Sequence, residues 1–297
     1  MPSHPVSRSV NRPLRHPVSS RALRVASALA LVATTALTAL VALPATAGAA
    51  ETRATVTRGP SKGSFVYTAA PGQANNVNVE VWADGGMNLY MWYEIDDVVP
   101  IDDPGGLCHR PVPEDPTRIT CDLSAPDPEH GFVAMSMKLG DGDDAITMNN
   151  HTGQDTFTAA IDLGTGKDSS TVSSNLHGSL ENGGDVVYGG PGDDNISVHG
   201  NERAWGQEGN DTISADGEGS RVDGGAGNDL INAGAGRQIL TGGTGNDLIH
   251  GGPGDDILYG NSGNDTLQGN SGNDKLYGGP GKDSLSGGPG RNVVRQD

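Results

Sequence analysis

Residues 224–259 read GGAGNDLIN, AGAGRQILT, GGTGNDLIH and GGPGDDILY, four consecutive units of nine. In each unit small residues, mostly glycine, crowd the first four positions. An oxygen-bearing side chain stands sixth and a large aliphatic eighth. Glycine in that density serves sharp turns that need positive φ. The last three positions read as a short strand whose eighth side chain points inward.

The register extends outward from this stretch. It starts with GQEGNDTIS at Gly206 and continues in units beginning at 215, 224, 233, 242, 251, 260, 269, 278 and 287. The eighth position stays aliphatic throughout: Ile213, Val222, Ile231, Leu240, Ile249, Leu258, Leu267, Leu276, Leu285 and Val294. Upstream, around Trp205, the fit is poor. Looser units lie further back: LGDGDDAIT (139–147), HTGQDTFT (151–158), LGTGKDSST (163–171), NGGDVVY (182–188) and GGPGDDNIS (189–197).

Units such as GGAGNDLIN (224–232) and GGPGDDILY (251–259) match G-G-x-G-x-D-x-U-x, where U is a large apolar residue. This part of the chain resembles the hemolysin-type calcium-binding (RTX) repeat, which implies a parallel β-roll, a β-helix-like solenoid. The resemblance implies two units per turn, with several calcium ions each held between stacked turns on one side. Calcium takes six to eight hard oxygens, which carbonyls aimed by the turn and the sixth-position carboxylate supply. The implied ligands are Asp144, Asp155, Asp168, Asp185, Asp194, Asp211, Asp229, Asp247, Asp256, Asp265, Asp274 and Asp283. From 206 onward one edge carries Asp211, Asp229, Asp247, Asp265 and Asp283 unbroken. The other reads Ser220, Gln238, Asp256, Asp274 and Asn292, an interrupted ladder beside a continuous one. Glycine-rich turns lose much entropy on ordering and close aspartates repel, so calcium binding and folding are expected to be coupled.

Composition agrees. The 46 glycines are about twice the usual share, and aromatics make up 4% of the chain, too few for an ordinary large core. The formal charge is −18, although the first 50 residues contribute five arginines and no acid. So acidic a chain argues against nucleic acid or an anionic membrane as partner, and for a cation.

Residues 1–49 read as a secretory signal: a basic stretch ending at Arg24, an uncharged Ala/Leu/Val run from Val25 to Leu43, then small residues after Pro44. The alternative is a membrane anchor, since the run is about long enough to span. Cleavage after Ala47 or Ala49 would leave no membrane span in a secreted, extracellular mature chain. Many proteins with the repeat use a one-step exporter that reads a C-terminal signal, whereas an N-terminal leader implies the general secretory route. In an oxidising compartment Cys108 and Cys121 are expected to form a disulfide, worth roughly 2–4 kcal/mol. Zinc held by Cys108, His109 and Cys121 lacks a fourth nearby ligand.

Residues 50–138 read as a small β-rich module preceding the roll at 139–297, so the fold class is all-β. Val77, Val79 and Val81 alternate with polar neighbours, as do Val133, Met135, Met137 and Leu139. The Pro- and Asp-rich segment between Asp96 and Pro128 reads as a long loop. Gly59–Gly63 matches G-x-S-x-G, but no strand precedes it and an α/β-hydrolase sheet has no room. No H-E-x-x-H occurs, and the many G-x-G-x-x-G matches fall inside the repeat.

Two function classes follow. One is a non-enzymatic, calcium-stabilised extracellular protein with a structural, adhesive or ion-binding role. The other is a small hydrolase or ligand-binding module at 51–138 carried on a calcium-folded scaffold. The sequence names no protein or cell-surface partner. Aliphatics at the nominally outward seventh position (Leu230, Ile239, Leu248 and Ile257) mark a stretch for contact or simply for strand propensity.

Overall fold

The eighth-position aliphatics form the spine of the molecule. A computed structural model describes residues 52–60, 63–83, 90–124, 132–152, 157–174 and 184–296, and every regular element in them is a strand. Residues 1–49 and Asp155 lie outside the described residues.

The strands form two twelve-stranded sheets between which the chain alternates. From 186 onward the first sheet takes strands Val186–Pro191, Arg203–Glu208, Arg221–Ala226, Ile239–Thr244, Ile257–Ser262, Lys275–Tyr277 and Val293–Arg295. The second takes Asn195–His199, Thr212–Asp216, Leu230–Ala233, Leu248–His250, Thr266–Gln268 and Ser284–Ser286. Each strand pairs in parallel with the next one on its own sheet. The pairing sets Leu240 beside Leu258 and Ile231 beside Ile249. This is a parallel β-roll, and its eighth positions from Ile213 to Leu276 are buried between the sheets. The spine fades at the C-terminal turn, where Leu285 is partly buried and Val294 is 46% exposed.

Strands before residue 139 continue both sheets. Phe65–Thr68 pairs in parallel with Phe132–Lys138, and Asn76–Ala83 in parallel with Ala145–Asn150. Val77, Val79 and Val81 are thereby buried in one cluster with Met135, Met137, Ile146 and Met148. Beyond this point the pairing turns antiparallel: Ala54–Arg58 on Phe65–Thr68, Tyr90–Asp96 on Asn76–Ala83, and Arg118–Ser124 on Tyr90–Asp96. Two-residue strands, Ile101–Asp102 and Cys108–His109, finish the sheets. Short edge strands offer little template for pairing with another chain.

The segment from Asp96 to Pro128 is therefore not one long loop. Its strand Arg118–Ser124 lies full length against Tyr90–Asp96, with Ile119 and Cys121 facing the core. The polar, Pro-rich flanks mask this strand in the sequence. Cys121 is directly opposite Cys108 and the two are disulfide-bonded. Nearby, the buried Tyr67 hydroxyl donates to Asp97, whose other carboxylate oxygen accepts the Asn76 and Val98 amides. Leu230 lies beside Leu248 and Ile239 beside Ile257, all four half-buried, on opposite sheets of the roll.

Burial ranks the spine positions. Ile249→Ala removes a fully buried side chain and should cost about 2–5 kcal/mol, whereas Val294→Ala should stay within about 0.5 kcal/mol. Guanidinium unfolding in saturating calcium checks both; equal effects would mean the core is not continuous through the repeat.

Candidate metal centre

Each sixth-position aspartate ends a glycine-rich turn and precedes a strand, which directs its carboxylate back between stacked turns. One oxygen has a fixed role. The amide of Asp211 donates to Asp229 Oδ1 at 2.8 Å, and the amides of Asp229 and Asp247 donate to Asp247 and Asp265 Oδ1, each at 2.9 Å. The ladder runs on through Asp265 to Asp283, and back through Asp194 and Asp168 to Asp144 and the amide of Asn75. The second edge has the same bond from Gln238 to Asp256, Asp256 to Asp274 and Asp274 to Asn292. An eighteen-residue step underlies the regular part. Before it the steps are 24 and 26 residues, because extra chain is inserted between Ala145–Asn150 and Phe157–Asp162 and between Ser169–Ser174 and Val186–Pro191, and then 17, one residue short of the regular step.

The other oxygen has no donor. Oδ2 of Asp144, Asp168, Asp194, Asp211, Asp229, Asp247, Asp256, Asp265 and Asp274 is buried without a hydrogen-bond partner. In the units that begin with glycine, from Gly189 onward, it faces that glycine, and at Asp194, Asp211, Asp229, Asp256 and Asp265 also the first-glycine carbonyl of the next turn. The units of Asp144 and Asp168 begin instead with Leu139 and Leu163. A methyl group built on Gly189 would lie 2.5 Å from Asp194 Oδ2 and 2.6 Å from the Gly206 carbonyl oxygen; on Gly251 the values are 2.9 Å and 3.0 Å, to Asp256 Oδ2 and the Gly269 carbonyl. Only glycine leaves that oxygen-lined cradle open. A buried anionic oxygen beside carbonyl oxygens, with no N–H or O–H aimed at it, is costly unless a cation joins the set.

The interrupting residues carry no charge and donate hydrogens, although Gln238 Oε1, like the aspartate Oδ2 atoms, is buried without a donor. Gln238 Nε2 donates to the carbonyls of Gly217 and Ala235 at 2.9 and 3.0 Å, and the Ser220 hydroxyl to those of Gly200 and Gly217 at 2.5 and 3.3 Å. Gly217 and Ala235 both hold the third position of their units. Asn292 closes its ladder in the same manner, donating to Gly288. Where the carboxylate is replaced, a neutral side chain brings its own hydrogens to the turn carbonyls.

Among the described residues no three His, Cys, Asp or Glu side chains converge on one point. A cation in these cradles would therefore draw most of its ligands from the backbone, a set of hard oxygens that suits calcium. Asp185 shares both features of the ladder aspartates, its Oδ1 accepting the amide of Ala159 on the paired strand and its buried Oδ2 lacking a donor, and it also lines a small cavity with Tyr93, Met148 and Asn150. Burial raises its pKa.

Burial, more than the neighbouring carboxylates, also lifts Asp168, Asp211 and Asp256 to about 7 and Asp247 to about 6, against the lowering effect of the backbone N–H each accepts. Asp144, Asp194, Asp229, Asp265 and Asp274 are raised for the same reason.

A second ladder escaped the sequence reading. At the fifth position the amide and side-chain NH2 of Asn210, Asn228, Asn246 and Asn264 donate to the Oδ1 one turn earlier, on Asp193, Asn210, Asn228 and Asn246 respectively. The recurrence of Asn or Asp at that position every eighteen residues was its visible signal.

The family model of the RTX calcium-binding nonapeptide repeat matches the chain in four copies, at 181–199, 205–237, 233–267 and 259–294. Residues 181–294 are thus RTX calcium-binding repeats. No curated protein matches the chain.

The raised carboxylates set a pH dependence. Folded values of about 6–7 against an ordinary 3.8 mean that, without metal, the fold holds protons the unfolded chain does not. That contribution is complete below about pH 4 and is lost as pH rises through about 7. In chelator, circular dichroism should therefore show more β signal at pH 5 than at pH 8. With calcium the order reverses, because binding displaces those protons, and the calcium midpoint should rise as pH falls below about 7. A midpoint independent of pH between 5 and 8 would contradict the assignment.

Proposed function

We propose that this chain, whose residues 181–294 are calcium-binding repeats, is a secreted, non-enzymatic protein that folds on binding several calcium ions and serves a structural or adhesive role outside the cell. In the division we propose, residues 1–49 are a cleaved leader, 50–138 close one end, and 139–297 form the roll. The observation that carries the calcium reading is the contrast between rungs. Aspartate rungs from Asp144 to Asp274 keep a buried anionic oxygen with no donor, whereas Ser220 and Gln238 are uncharged and bring hydrogens to the turn carbonyls, although Gln238 Oε1 also lacks a donor.

The residues we assign to calcium are Asp144, Asp168, Asp194, Asp211, Asp229, Asp247, Asp256, Asp265, Asp274 and Asp283, each with carbonyls of the stacked turns. Asp185 belongs with them by its backbone bond and unpartnered Oδ2, and in addition borders a small cavity of the core. Calcium would neutralise the ladder and tie each turn to the next. Support for secretion comes from the leader-like residues 1–49 and from a cysteine pair oxidised to a disulfide.

Calcium should convert the purified chain from largely unstructured in chelator to β-rich at millimolar concentration, with magnesium a poor substitute because it demands rigid, hydrated octahedral sites. Identical spectra in both conditions would sink the reading. The rung contrast has its own test. Asp247→Ala should lower calcium stoichiometry and Gln238→Ala should not, while Gln238→Asp restores a carboxylate between Ser220 and Asp256 and should raise it. Equilibrium dialysis measures all three; equal losses from Asp247→Ala and Gln238→Ala would refute the two-edge assignment.

A further inference from the structure

The two outer faces of the roll obey the same repeat but carry different chemistry. From 186 onward the first sheet turns Tyr188, Trp205, Tyr259 and Tyr277 outward, with Arg203, Arg221, Lys275 and Arg295 among them. Over the same turns the second sheet turns out Thr, Ser, Asn, Gln and His with Leu230, Leu248 and Asp216, and no Tyr, Trp, Lys or Arg. Strand formation alone would not sort rings and guanidinium groups onto one side of a chain with formal charge −18.

The rings form two stacks. Tyr188 lies on Trp205 with centroids 5.1 Å apart and planes 14° apart, and Tyr259 lies on Tyr277 at 5.1 Å and 12°. Rings stacked at about the spacing of neighbouring strands have their faces along the strand-to-strand direction. Each stack therefore has two outer ring faces. That of Tyr277 is taken by the Arg295 guanidinium, 5.9 Å from its centroid. The outer face of Trp205 looks toward Asp223, and that of Tyr259 toward Thr241, because the register runs Trp205, Asp223, Thr241, Tyr259. Three strand steps of roughly 4.8 Å put the two walls about 14 Å apart. The short side chains of Asp223 and Thr241 floor the slot, and Arg221 and Ile239 continue that floor two residues earlier on the same strands. Among the described residues no ion pair joins Asp223 to Arg203 or Arg221, so their polar atoms remain free to bond outward.

We propose that this slot binds a glycan chain. Sugar rings would stand on edge in it, an apolar face against Trp205 or Tyr259, with the chain running along the strand direction. Asp223 and Thr241 would accept from hydroxyls, and Arg221 would donate to ring, hydroxyl or carboxylate oxygens. Flat apolar faces bounded by polar edges are what pyranoses offer and what this mixture of rings, carboxylate and guanidinium complements. The gap is wider than one planar base sandwiched between two rings would need, and the net charge of −18 favours neutral over acidic polymers. The rings and Arg221 of the slot take no part in the aspartate ladders, although Asp223 adds to the negative charge around Asp229.

Affinity electrophoresis of the full chain in millimolar calcium, through gels holding hydroxyethylcellulose, glycol chitin or hyaluronan, tests the proposal and separates neutral from acidic glycans. At least one polymer should retard the protein. Trp205→Ala and Tyr259→Ala should each weaken retardation by about tenfold, and Gln268→Ala on the opposite sheet should leave it unchanged. Circular dichroism in the same buffer establishes that each variant is folded, so a failure of calcium-driven folding would be seen separately. No retardation by any of the three polymers, or equal retardation of a folded Trp205→Ala variant, would overturn the proposal.

Discussion

A carboxylate that satisfies one oxygen through the backbone of the neighbouring turn and buries the other beside carbonyls is the constraint on which this molecule turns. The first oxygen fixes the stacking of successive turns, since the same bond to the neighbouring amide recurs across steps of 18 residues in the regular part and of 24, 26 and 17 before it. From Gly189 onward the second oxygen leaves room only for glycine at the head of the unit, where a Cβ would collide with it. Buried negative charge repeated at every rung resists ordering unless protons or cations accompany it. The glycines, the nine-residue period and the acidity of the chain all serve that one arrangement.

The aliphatic spine is the complementary half. Each turn contributes one inward side chain per sheet, too little to hold a turn alone, so the spine stabilises only as turns accumulate. At its N-terminal side it merges into a broader core containing Phe65, Tyr67, Met91 and Ile95, where strand pairing becomes antiparallel. Among the described residues most of the largest fully buried side chains lie in that core. It gives the solenoid a closed end of the kind stacked repeats require.

The regular roll was readable because its two signals, the sixth-position oxygen and the eighth-position aliphatic, recur without a break from 206 onward. The same rule placed Asp211 through Asp283 on one edge, and the structure stacks them there. The earlier turns were harder, because steps of 24 and 26 residues hide the period although the Asp144–Asp168–Asp194 bonds are the same. Strand Arg118–Ser124 was hidden by its Pro- and Asp-rich flanks. Asp185 keeps the ladder bond of its neighbours, to the Ala159 amide, and the cavity that it lines with Tyr93 and Met148 is a long-range feature that no local pattern encodes. Gln238 and Ser220 could be seen as missing ligands. That their hydrogens fill the turn carbonyls required coordinates.

The alternation of consecutive units between two sheets also constrains how such a chain can change in length. Removing eighteen residues from the regular part returns every later unit to its own sheet and its own edge. Removing nine exchanges the two. The gapless aspartate edge would be spliced onto the interrupted one, and the outward rings of one sheet would be carried across to the other. Gain and loss of repeats should therefore be inherited in pairs, and the distinction between the two faces is preserved only in lineages that keep to that even count.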